Sequence, residues 1–258
     1  PPSVVSKNFF APGYNYTFSI KVCNFLLKCS PVVTHVVAVL SGEVPTVSIS
    51  GLKSRKVFRH HRLFLRANAL TSFCGQPTST KNLVYYWKIF KDGDSTNVTS
   101  VSIRPNEFIL PPYVLESLSL YNVTVSVWSS ISGLSSTAVV EVFVDQSGVE
   151  AQVVGGSFQS INFGSSNVLN ASTSYDKDIA RLTGLNAGLD FQWSCALIEP
   201  VVDTTGCGVD LLFKGSRNDE MVQIIANKEE FVNSISEVTV VVFKNSRIDE
   251  FVVQLQVL

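Results

Sequence analysis

The sequence predicts an all-β protein built from antiparallel β-sandwiches in tandem. Residues that favour strands (Val, Ile, Phe, Tyr and Thr) are abundant, apolar and polar side chains alternate with a period of two, and landmarks recur roughly 105 residues apart. Of the 258 residues, 45% are hydrophobic and 16% are charged. This composition provides sizeable cores and excludes a disordered chain.

The clearest strand signals are segments of strict alternation. Residues 14–22 have apolar side chains at even positions, and residues 121–127 have them at odd positions. We expect such strands to place one face on a core and the other in water. Further segments of the same type are residues 139–144, 237–243 and 251–258. Residues 219–232 are the one segment whose spacing is compatible with a helix.

An internal repeat sets the predicted domain boundaries. Leu65-Arg66-Ala67-Asn68 precedes Trp87 as Leu169-Asn170-Ala171-Ser172 precedes Trp193. Residues 122–125 match residues 237–240 once a longer insertion in the second copy is allowed, and a third strand pair lies at residues 14–22 and 32–40. The repeat predicts the C-terminal part of a preceding sandwich at 1–43 and complete sandwiches at 44–145 and 149–258. The junctions at 41–43 and 146–148 are short, so we expect an elongated rod.

Charge and hydropathy exclude several partner classes. Lys and Arg total 20 and Asp and Glu total 21, a net charge of −1, which provides no field for nucleic acid or a membrane surface. No apolar run reaches the roughly 18 residues that a membrane span needs. The chain opens on Pro1-Pro2-Ser3 and its single Met is Met221. We therefore expect a piece of a longer polypeptide that meets a membrane only through parts outside this sequence.

Each complete repeat carries a Trp in mid-strand, and the flanking residues resemble known repeats. Residues 85–93, Tyr-Tyr-Trp-Lys-Ile-Phe-Lys-Asp-Gly, resemble the aromatic-x-Trp-x-x-x-x-Asp-Gly signature of PKD (polycystic kidney disease) repeats; the Asp-Gly pair suits a turn with positive φ. Residues 169–178 are similar to the Leu-Asp-Ala-Ser-x-Ser-x-Asp-Pro-Asp segment of the REJ (receptor for egg jelly) region of polycystin-like proteins, with departures at Asn170 and Lys177. Residues 191–195 are similar to that family's aromatic-x-Trp-x-Cys strand.

This resemblance covers residues 44–258 and, more loosely, the N-terminal segment. It implies immunoglobulin-like sandwiches, PKD-like at 44–145 and REJ/PKD-like at 149–258, with Trp87 and Trp193 in their cores. It also implies a non-catalytic extracellular array, at the cell surface or a ciliary or flagellar membrane, used for adhesion or for transmitting force. The implied partners are neighbouring domains of the same long chain and a protein or glycan at the cell surface. The alternative is that the two Trp residues reflect convergent core packing.

The five cysteines bear on the compartment. Cys195 and Cys207 flank a short loop that a disulfide could close, and Cys23 and Cys29 bracket the turn between the strands of the N-terminal segment. Cys74 has no partner in this pairing. It could form a disulfide with a part of the protein outside this sequence, form an intermolecular disulfide, or remain a free thiol. Zinc is the competing interpretation, but no Cys-x-x-Cys occurs. Disulfides indicate a location outside the cytosol.

Sequons for N-glycosylation agree with that location through their placement rather than their number, since chance alone would give about three in so Ser- and Thr-rich a chain. They lie at Asn15, Asn97, Asn122 and Asn170. Asn15 and Asn122 fall on the polar phase of their strands and are equivalent under the repeat, so a glycan there would face solvent. Alternatively, these outward Asn residues carry no sugar.

Two groups of charged residues are candidate binding sites. A basic stretch could dock an anionic glycan or an acidic partner, or it could be a solvated loop entering the next strand; its cations are Lys53, Arg55, Lys56, Arg59 and Arg62. Asp176 and Asp178 could offer hard oxygen ligands to Ca²⁺, or they could cap turns. We expect no other cofactor.

Catalytic motifs are missing from the sequence. It contains no Gly-x-Ser-x-Gly, no Walker loop, no His-Glu-x-x-His and no dinucleotide fingerprint. The acidic pairs at 229–230 and 249–250 have no predicted pocket of the kind that glycosidase carboxylates need. The sequence therefore predicts a structural or adhesive ectodomain segment that is not an enzyme, with a glycan- or ligand-binding module, based on the basic stretch or an exposed aromatic surface, as the alternative.

Overall fold

A computed structural model of the chain describes residues 5, 9–39, 42, 44–71, 78–200, 206–216 and 218–258. Within these residues the protein is all-β, which confirms the predicted fold class, and no helix is long and apolar enough to cross a membrane. The strands are β1 (Asn15–Ile20), β2 (Val33–Ala38), β3 (Pro45–Ile49), β4 (Ser54–Phe58), β5 (Leu63–Thr71), β6 (Leu83–Lys91), β7 (Asp94–Ser95), β8 (Glu107–Leu110), β9 (Ser119–Ser129), β10 (Ser135–Asp145), β11 (Val149–Glu150), β12 (Phe158–Ile161), β13 (Ser166–Asn170), β14 (Tyr175–Asp176), β15 (Asp190–Glu199), β16 (Asp210–Leu212), β17 (Met221–Ile225), β18 (Ile235–Lys244) and β19 (Arg247–Val257).

The chain forms two compact units. The first extends to Arg55 and also contains Phe64–Leu110 and Leu120–Val142. The second contains Lys56–Leu63, Pro111–Ser119 and Phe143–Leu258. The second unit therefore includes two short segments that lie before the predicted 146–148 junction.

The N-terminal segment is a two-stranded hairpin. β1 pairs antiparallel with β2, and a disulfide between Cys23 and Cys29 closes the connection. β2 is exposed along its whole length, and β1 is half-buried only at Tyr16 and Phe18. The expectation of a core face is wrong for this hairpin as far as the described residues go, because the rings that they place against it are those of Phe9 and Phe10 and they add no second sheet.

The next sandwich packs the sheet β3-β5-β8 against the sheet β4-β10-β9-β6-β7. Alternation is strict in β9, where Tyr121, Val123, Val125 and Val127 are buried, on the odd phase that the sequence predicts. Ala67 and Ala69 of β5 meet the last two of these across the interior. The turn between β6 and β7 has φ of 51° at Asp92 and 93° at Gly93, the left-handed values that the Asp-Gly pair predicts.

The C-terminal sandwich packs the sheet β12-β19-β18-β15 against β13-β17-β16. Its core joins Leu169 and Ile224 of the smaller sheet to Phe191, Val240 and Leu255 of the larger one. β12 pairs in parallel with β19, whereas β15, β18 and β19 pair antiparallel. A short strand near the start of this sandwich and its last strand are thus neighbours.

Residues 219–232 correct the helix prediction. They contain β17 and a short 3₁₀ turn, Glu229–Phe231. Val222 and Ile224 are fully buried two positions apart, the period of a strand. The apolar run is too short for its period to be read from sequence, and packing against β13 decides the outcome.

Trp87 and Trp193 occupy equivalent positions in the two sandwiches. Trp87 of β6 lies opposite Val125 of β9, and Trp193 of β15 lies opposite Val240 of β18. Trp193 is buried and Trp87 is half-buried. The repeat in the sequence pairs the same two Val residues, so the indoles share one register.

The hydrogen bonds of the two indoles are also the same. Trp87 Nε1 donates to the backbone oxygen of Pro105 and Trp193 Nε1 to that of Asp219, each over 2.9 Å. In each sandwich the following residue accepts a bond of 2.8 Å from a buried alanine: Asn106 O from Ala67 N, and Glu220 O from Ala171 N. Each Trp thus fastens a crossing loop to the opposite sheet, which satisfies an indole donor that burial would otherwise penalise.

Candidate functional site

The most elaborate polar site lies in the second unit, around two buried aspartates. We call Ser147, Asp176, Asp178, Lys244 and Arg247 the junction cluster, because Ser147 belongs to the predicted 146–148 junction. Its charged members come from distant parts of the chain: the aspartates from β14 and the turn after it, and the cations from the two sides of the β18–β19 turn.

Asp176 is the centre of the junction cluster. Its side chain is 1% exposed and accepts two hydrogen bonds from Arg247, of 2.6 Å from Nη1 to Oδ1 and 2.9 Å from Nη2 to Oδ2. Lys244 Nζ lies 3.0 Å from Oδ2. A bidentate guanidinium together with an ammonium neutralises a carboxylate that could not otherwise remain charged in this environment.

Ser147 is held through its backbone. Its N–H donates to Asp178 Oδ2 over 2.9 Å, and its carbonyl oxygen accepts from Arg247 Nη1 over 3.1 Å. The Asp178 N–H in turn donates to Asp176 Oδ1. Both polar backbone groups of a linker residue are therefore bonded to charged side chains, an arrangement stronger than neutral hydrogen bonds.

Two side chains from the segment Lys56–Leu63 join the junction cluster within the same unit. Arg59 Nη1 donates to the backbone oxygen of Asp178 over 2.9 Å, and His60 Nδ1 lies 2.9 Å from Ser147 Oγ. Burial lowers the pKa of His60, the neighbouring His61 lowers it further, and Asp178 opposes the shift. Within the described residues, three buried atoms here have no hydrogen-bond partner: Arg59 Nε, Asp178 Oδ1 and Arg247 Nε. The junction cluster is thus strongly but not completely satisfied.

The electrostatics favour the ion-paired state. Burial by itself would raise the pKa of Asp176, but the hydrogen bonds from Arg247, the Asp178 N–H and Lys244 outweigh it and lower the pKa to about 2. The hydrogen bonds to Asp176 raise the pKa of Arg247 against the effect of burial. The carboxylate therefore stays charged at every pH at which the protein would ordinarily work.

Asp176 and Asp178 were the candidate calcium ligands of the sequence. The structure brings them together but places Arg247 and Lys244 on the oxygens of Asp176. The described residues contain no cluster of three or more His, Cys, Asp or Glu side chains with metal-site geometry. Ca²⁺ would have to displace two cations before it could use Asp176.

Three of the five cations of the basic stretch have partners within the chain. Ser54–Phe58 is a strand and not a loop. Arg55 donates to the backbone oxygens of Leu52 and Ser50, Lys56 pairs with Asp145 over 2.5 Å, and Arg59 is engaged in the junction cluster. Lys53 and Arg62 are exposed. Most of these cations therefore stabilise the chain itself.

The remaining predicted sites are cysteines and sequons on different elements. Cys195 is bonded to Cys207, and Cys74 lies outside the described residues. Asn15 and Asn97 are exposed, Asn122 is half-buried on β9, and the half-buried Asn170 uses Oδ1 to accept from Ser172 N. The sequence interpretation missed Arg247 and Lys244. They are directly opposite each other across a two-residue turn, and because like charges so placed repel, the pair could have indicated a nearby anion.

Comparisons with known proteins identify the family. A solved structure of three N-terminal domains of the bacteriophage RB49 highly immunogenic outer capsid protein is 12% identical, with 88% of this chain and 75% of that chain covered and a TM-score of 0.31. The structure of the titin domains Z1Z2 in complex with telethonin is 12% identical, with 83% of this chain and 96% of that chain covered and a TM-score of 0.36. A Dscam structure is 13% identical, with 87% of this chain covered and a TM-score of 0.32. The match covers 50% of the Dscam chain, so this chain spans half of its length. At these TM-scores the likeness carries no argument about function.

No curated protein matches the chain. The model of the REJ domain family, in contrast, matches residues 74–256. This match covers most of the chain, including the C-terminal sandwich and the larger part of the one before it. The REJ-like residues around Trp193 lie within the matched region. The chain belongs to the REJ domain family.

Proposed function

We propose that the chain is a non-catalytic extracellular segment that acts as a spacer and bears force along a larger REJ-type surface protein. The observation that carries this proposal is the parallel pairing of β12, a four-residue strand near the start of the C-terminal sandwich, with β19, its last strand. Gln254 N and Leu258 N donate at the two ends of this pairing, to Ser157 O over 2.8 Å and to Ile161 O over 2.9 Å.

The parallel pairing matters because of the direction of load. A pull on the N-terminal side of β12 and on the C-terminal side of β19 slides the strands past each other, so that all hydrogen bonds between them carry load together. A pull on the two ends of an antiparallel hairpin instead opens one bond after another. The C-terminal sandwich therefore has the geometry that resists stretching.

The junction cluster supports the same role. Both backbone polar groups of Ser147 are bonded to Asp178 and Arg247. A linker residue fixed in this way can extend little under load, so the force that enters the chain reaches the sandwich directly. A spacer needs this property, whereas a flexible tether does not.

The extracellular location is supported by the disulfides Cys23–Cys29 and Cys195–Cys207 and by membership of the REJ family. We propose neighbouring domains of the same chain as the immediate partners, with a protein or glycan at the cell surface, including a ciliary or flagellar one, as the adhesive partner. Docking of an anionic glycan on the basic stretch is less favoured, because Arg55, Lys56 and Arg59 are bonded within the chain.

Single-molecule force spectroscopy on the whole chain tests the proposal. With handles at the two chain ends, we expect the C-terminal sandwich to unfold in one step at high force. The matched control moves one handle to the β18–β19 turn through Asn245→Cys, in a Cys74→Ser background, so that the same strands are peeled and not sheared. Equal unfolding forces in the two geometries would contradict the proposed load-bearing role.

The disulfide identifies the step. Cys195 and Cys207 are separated by 12 residues, so reduction releases about 40 Å of extra chain at the extension of roughly 3.6 Å per residue. The step that lengthens by this amount belongs to the C-terminal sandwich. Loss of this signature would mean that the assigned step comes from another part of the chain.

A further inference from the structure

The outward face of the five-stranded sheet carries a row of aromatic side chains. Tyr86 and Trp128 are 50% and 38% exposed, and their ring centroids lie 6.2 Å apart. Phe90 is half-buried farther along the same face of β6, and Val84, which is exposed, pairs with Trp128. Aromatic surface left in water is costly, so the row needs an explanation.

The internal repeat shows that the fold does not require the residues that β6 contributes to this row, whereas Phe243 of the C-terminal sandwich stands where the other has Trp128. Counting from Trp193 as from Trp87, the C-terminal sandwich has Asp190 where the other has Val84, Gln192 where it has Tyr86, and Ala196 where it has Phe90. The two strands share the register and hydrogen bonds of their Trp residues. The aromatic rings of Tyr86 and Phe90 are therefore specific to one sandwich and are not part of the architecture of both.

A sequon lies at one end of the row. Asn122 of Asn122-Val123-Thr124 is directly opposite Phe90. The two residues line a shallow depression together with Lys53, Thr124 and Glu141. The depression thus offers an aromatic ring, an ammonium, a hydroxyl and a carboxylate around the amide nitrogen to which a sugar would be attached.

We propose that Asn122 carries an N-linked glycan that lies along this face, with its first sugars against Phe90 and its outer sugars over Tyr86 and Trp128. The proposal rests on the extracellular location proposed above. In the covalent step, Asn122 Nδ2 loses a proton and bonds to the anomeric carbon of a lipid-linked oligosaccharide donor, whose lipid diphosphate leaves.

The geometry suits a sugar chain attached at this point. Tyr86 pairs with Ser126, which lies four residues from Asn122 on the same strand face, a distance of about 13 Å at the rise of a β-strand. The C–H face of a pyranose ring can cover an aromatic ring while its hydroxyls bond to Lys88, Thr124 and other polar neighbours. Because the glycan is tethered beside the row, its effective concentration there is high.

A protein partner fits this face less well. A stable protein interface uses about 20–30 residues from each side, whereas the aromatic row is one side chain wide and is interrupted by Lys88, whose Nζ lies 5.4 Å from the Tyr86 ring centroid. An attached glycan needs only a narrow track. The row and the sequon are then parts of one feature.

The test uses the whole chain secreted from glycosylating animal cells, with occupancy of each sequon measured by peptide mass spectrometry. Acrylamide quenching of Trp fluorescence reports cover over Trp128, because Trp87 and Trp193 are half-buried and buried; Trp128→Phe identifies its contribution. We expect Asn122→Gln to increase the accessible quenching about twofold or more. Asn97→Gln, which removes an exposed sequon of the same sandwich, should leave quenching unchanged.

A double-variant cycle separates contact from simple attachment. Enzymatic removal of the glycan should lower the melting temperature of this sandwich in the native chain. In the Tyr86→Ala variant the same treatment should lower it less. Phe64→Ala is the matched control: it alters an exposed aromatic residue of another sheet and should not change the effect of glycan removal. Three results would overturn the proposal: an unoccupied Asn122, equal quenching changes in the two sequon variants, or an unchanged effect of glycan removal in Tyr86→Ala. It would also be overturned if the Asn122→Gln variant bound free glycans on this face, because the face would then be a site for a separate ligand and not for the attached glycan. A secreted, disulfide-bonded chain with Asn122 unoccupied would overturn this inference alone and leave the load-bearing role to the force measurement.

Discussion

Replacement of Arg247 by Met is the sharpest test of the junction cluster. The side chain of Arg247 is 12% exposed and that of its partner Asp176 is 1% exposed. Met keeps an unbranched apolar stem of similar length but leaves a buried carboxylate with one cation fewer. Removal of one partner of a buried ion pair typically costs about 3–5 kcal/mol. Lys244 remains 3.0 Å from Asp176, so we expect the lower end, about 3 kcal/mol.

Hydrogen exchange measured by mass spectrometry suits this variant, because it reports the opening of one region in a chain of several domains. Peptides from β18 and β19 should lose more than about a hundredfold of their protection, since each factor of ten corresponds to 1.4 kcal/mol. Lys228→Met is the matched control. It breaks the Lys228–Asp210 pair, whose side chains are 46% and 39% exposed, and an exposed pair contributes less than about 1 kcal/mol.

A second control removes both charges. Arg247→Met combined with Asp176→Asn removes the buried carboxylate together with its bidentate partner, and the only carboxylate contact of Arg247 that is then lost without compensation is the longer one, of 3.5 Å, with Asp178 Oδ2. We therefore expect the double variant to recover part of the lost protection. If Arg247→Met and Lys228→Met changed protection by the same small factor, Arg247 would contribute no more than a surface charge. The proposed anchoring of Ser147 would then be wrong.

Three further predictions concern the C-terminal sandwich. The pKa of Asp176 is lowered to about 2 in the folded protein. Its ionised form therefore contributes about 2 kcal/mol to stability above the pKa of about 4 that it has in the unfolded chain, and this contribution is lost as the pH falls through the folded-state pKa. Denaturation measured between pH 4 and pH 2 should show this loss in the native chain and not in Asp176→Asn. Trp193→Ala should cost about 3–5 kcal/mol in thermal unfolding and Trp87→Ala clearly less, because Trp87 is only half-buried; equal costs would refute the difference in burial. Replacement of Cys195 and Cys207 by Ser should cost about 3 kcal/mol by the loop-entropy relation for a loop of this size, and an unchanged melting temperature would contradict it.

The sequence predicted those features that depend on local periodicity. Alternation in residues 121–127 fixes which side chains of β9 are buried, because a strand turns every second residue to the same face. The repeat likewise paired Trp87 with Trp193 and Val125 with Val240, and the structure places these residues in one register. β17 could not be read in this way, since two buried residues, Val222 and Ile224, do not define a period.

The junction cluster could not be predicted because its bonds span large sequence separations. Arg247 lies 71 residues from Asp176, and Arg59 lies 119 residues from Asp178. In a sequence, each of these residues looks like an ordinary surface charge, and only the fold reveals that the aspartates are buried. For the same reason the sequence leaves Ca²⁺ binding and turn capping both open for the aspartates, since it contains the carboxylates but not the position of their counter-charges.

The load path that we propose for the C-terminal sandwich follows from where its strands begin and end. Load that enters through residues 146–148 reaches Ser147, whose N–H and carbonyl are bonded to Asp178 and Arg247. Arg247 is also the first residue of β19, so the junction cluster ties the entry point to the strand whose far end carries the load out. The β12–β19 bonds lie beyond this tie along the chain. The junction cluster is held by ion pairs and the β12–β19 pairing by backbone hydrogen bonds. Acid should therefore weaken the junction cluster and leave the β12–β19 pairing intact, so the two contributions to the proposed mechanical resistance can be measured separately.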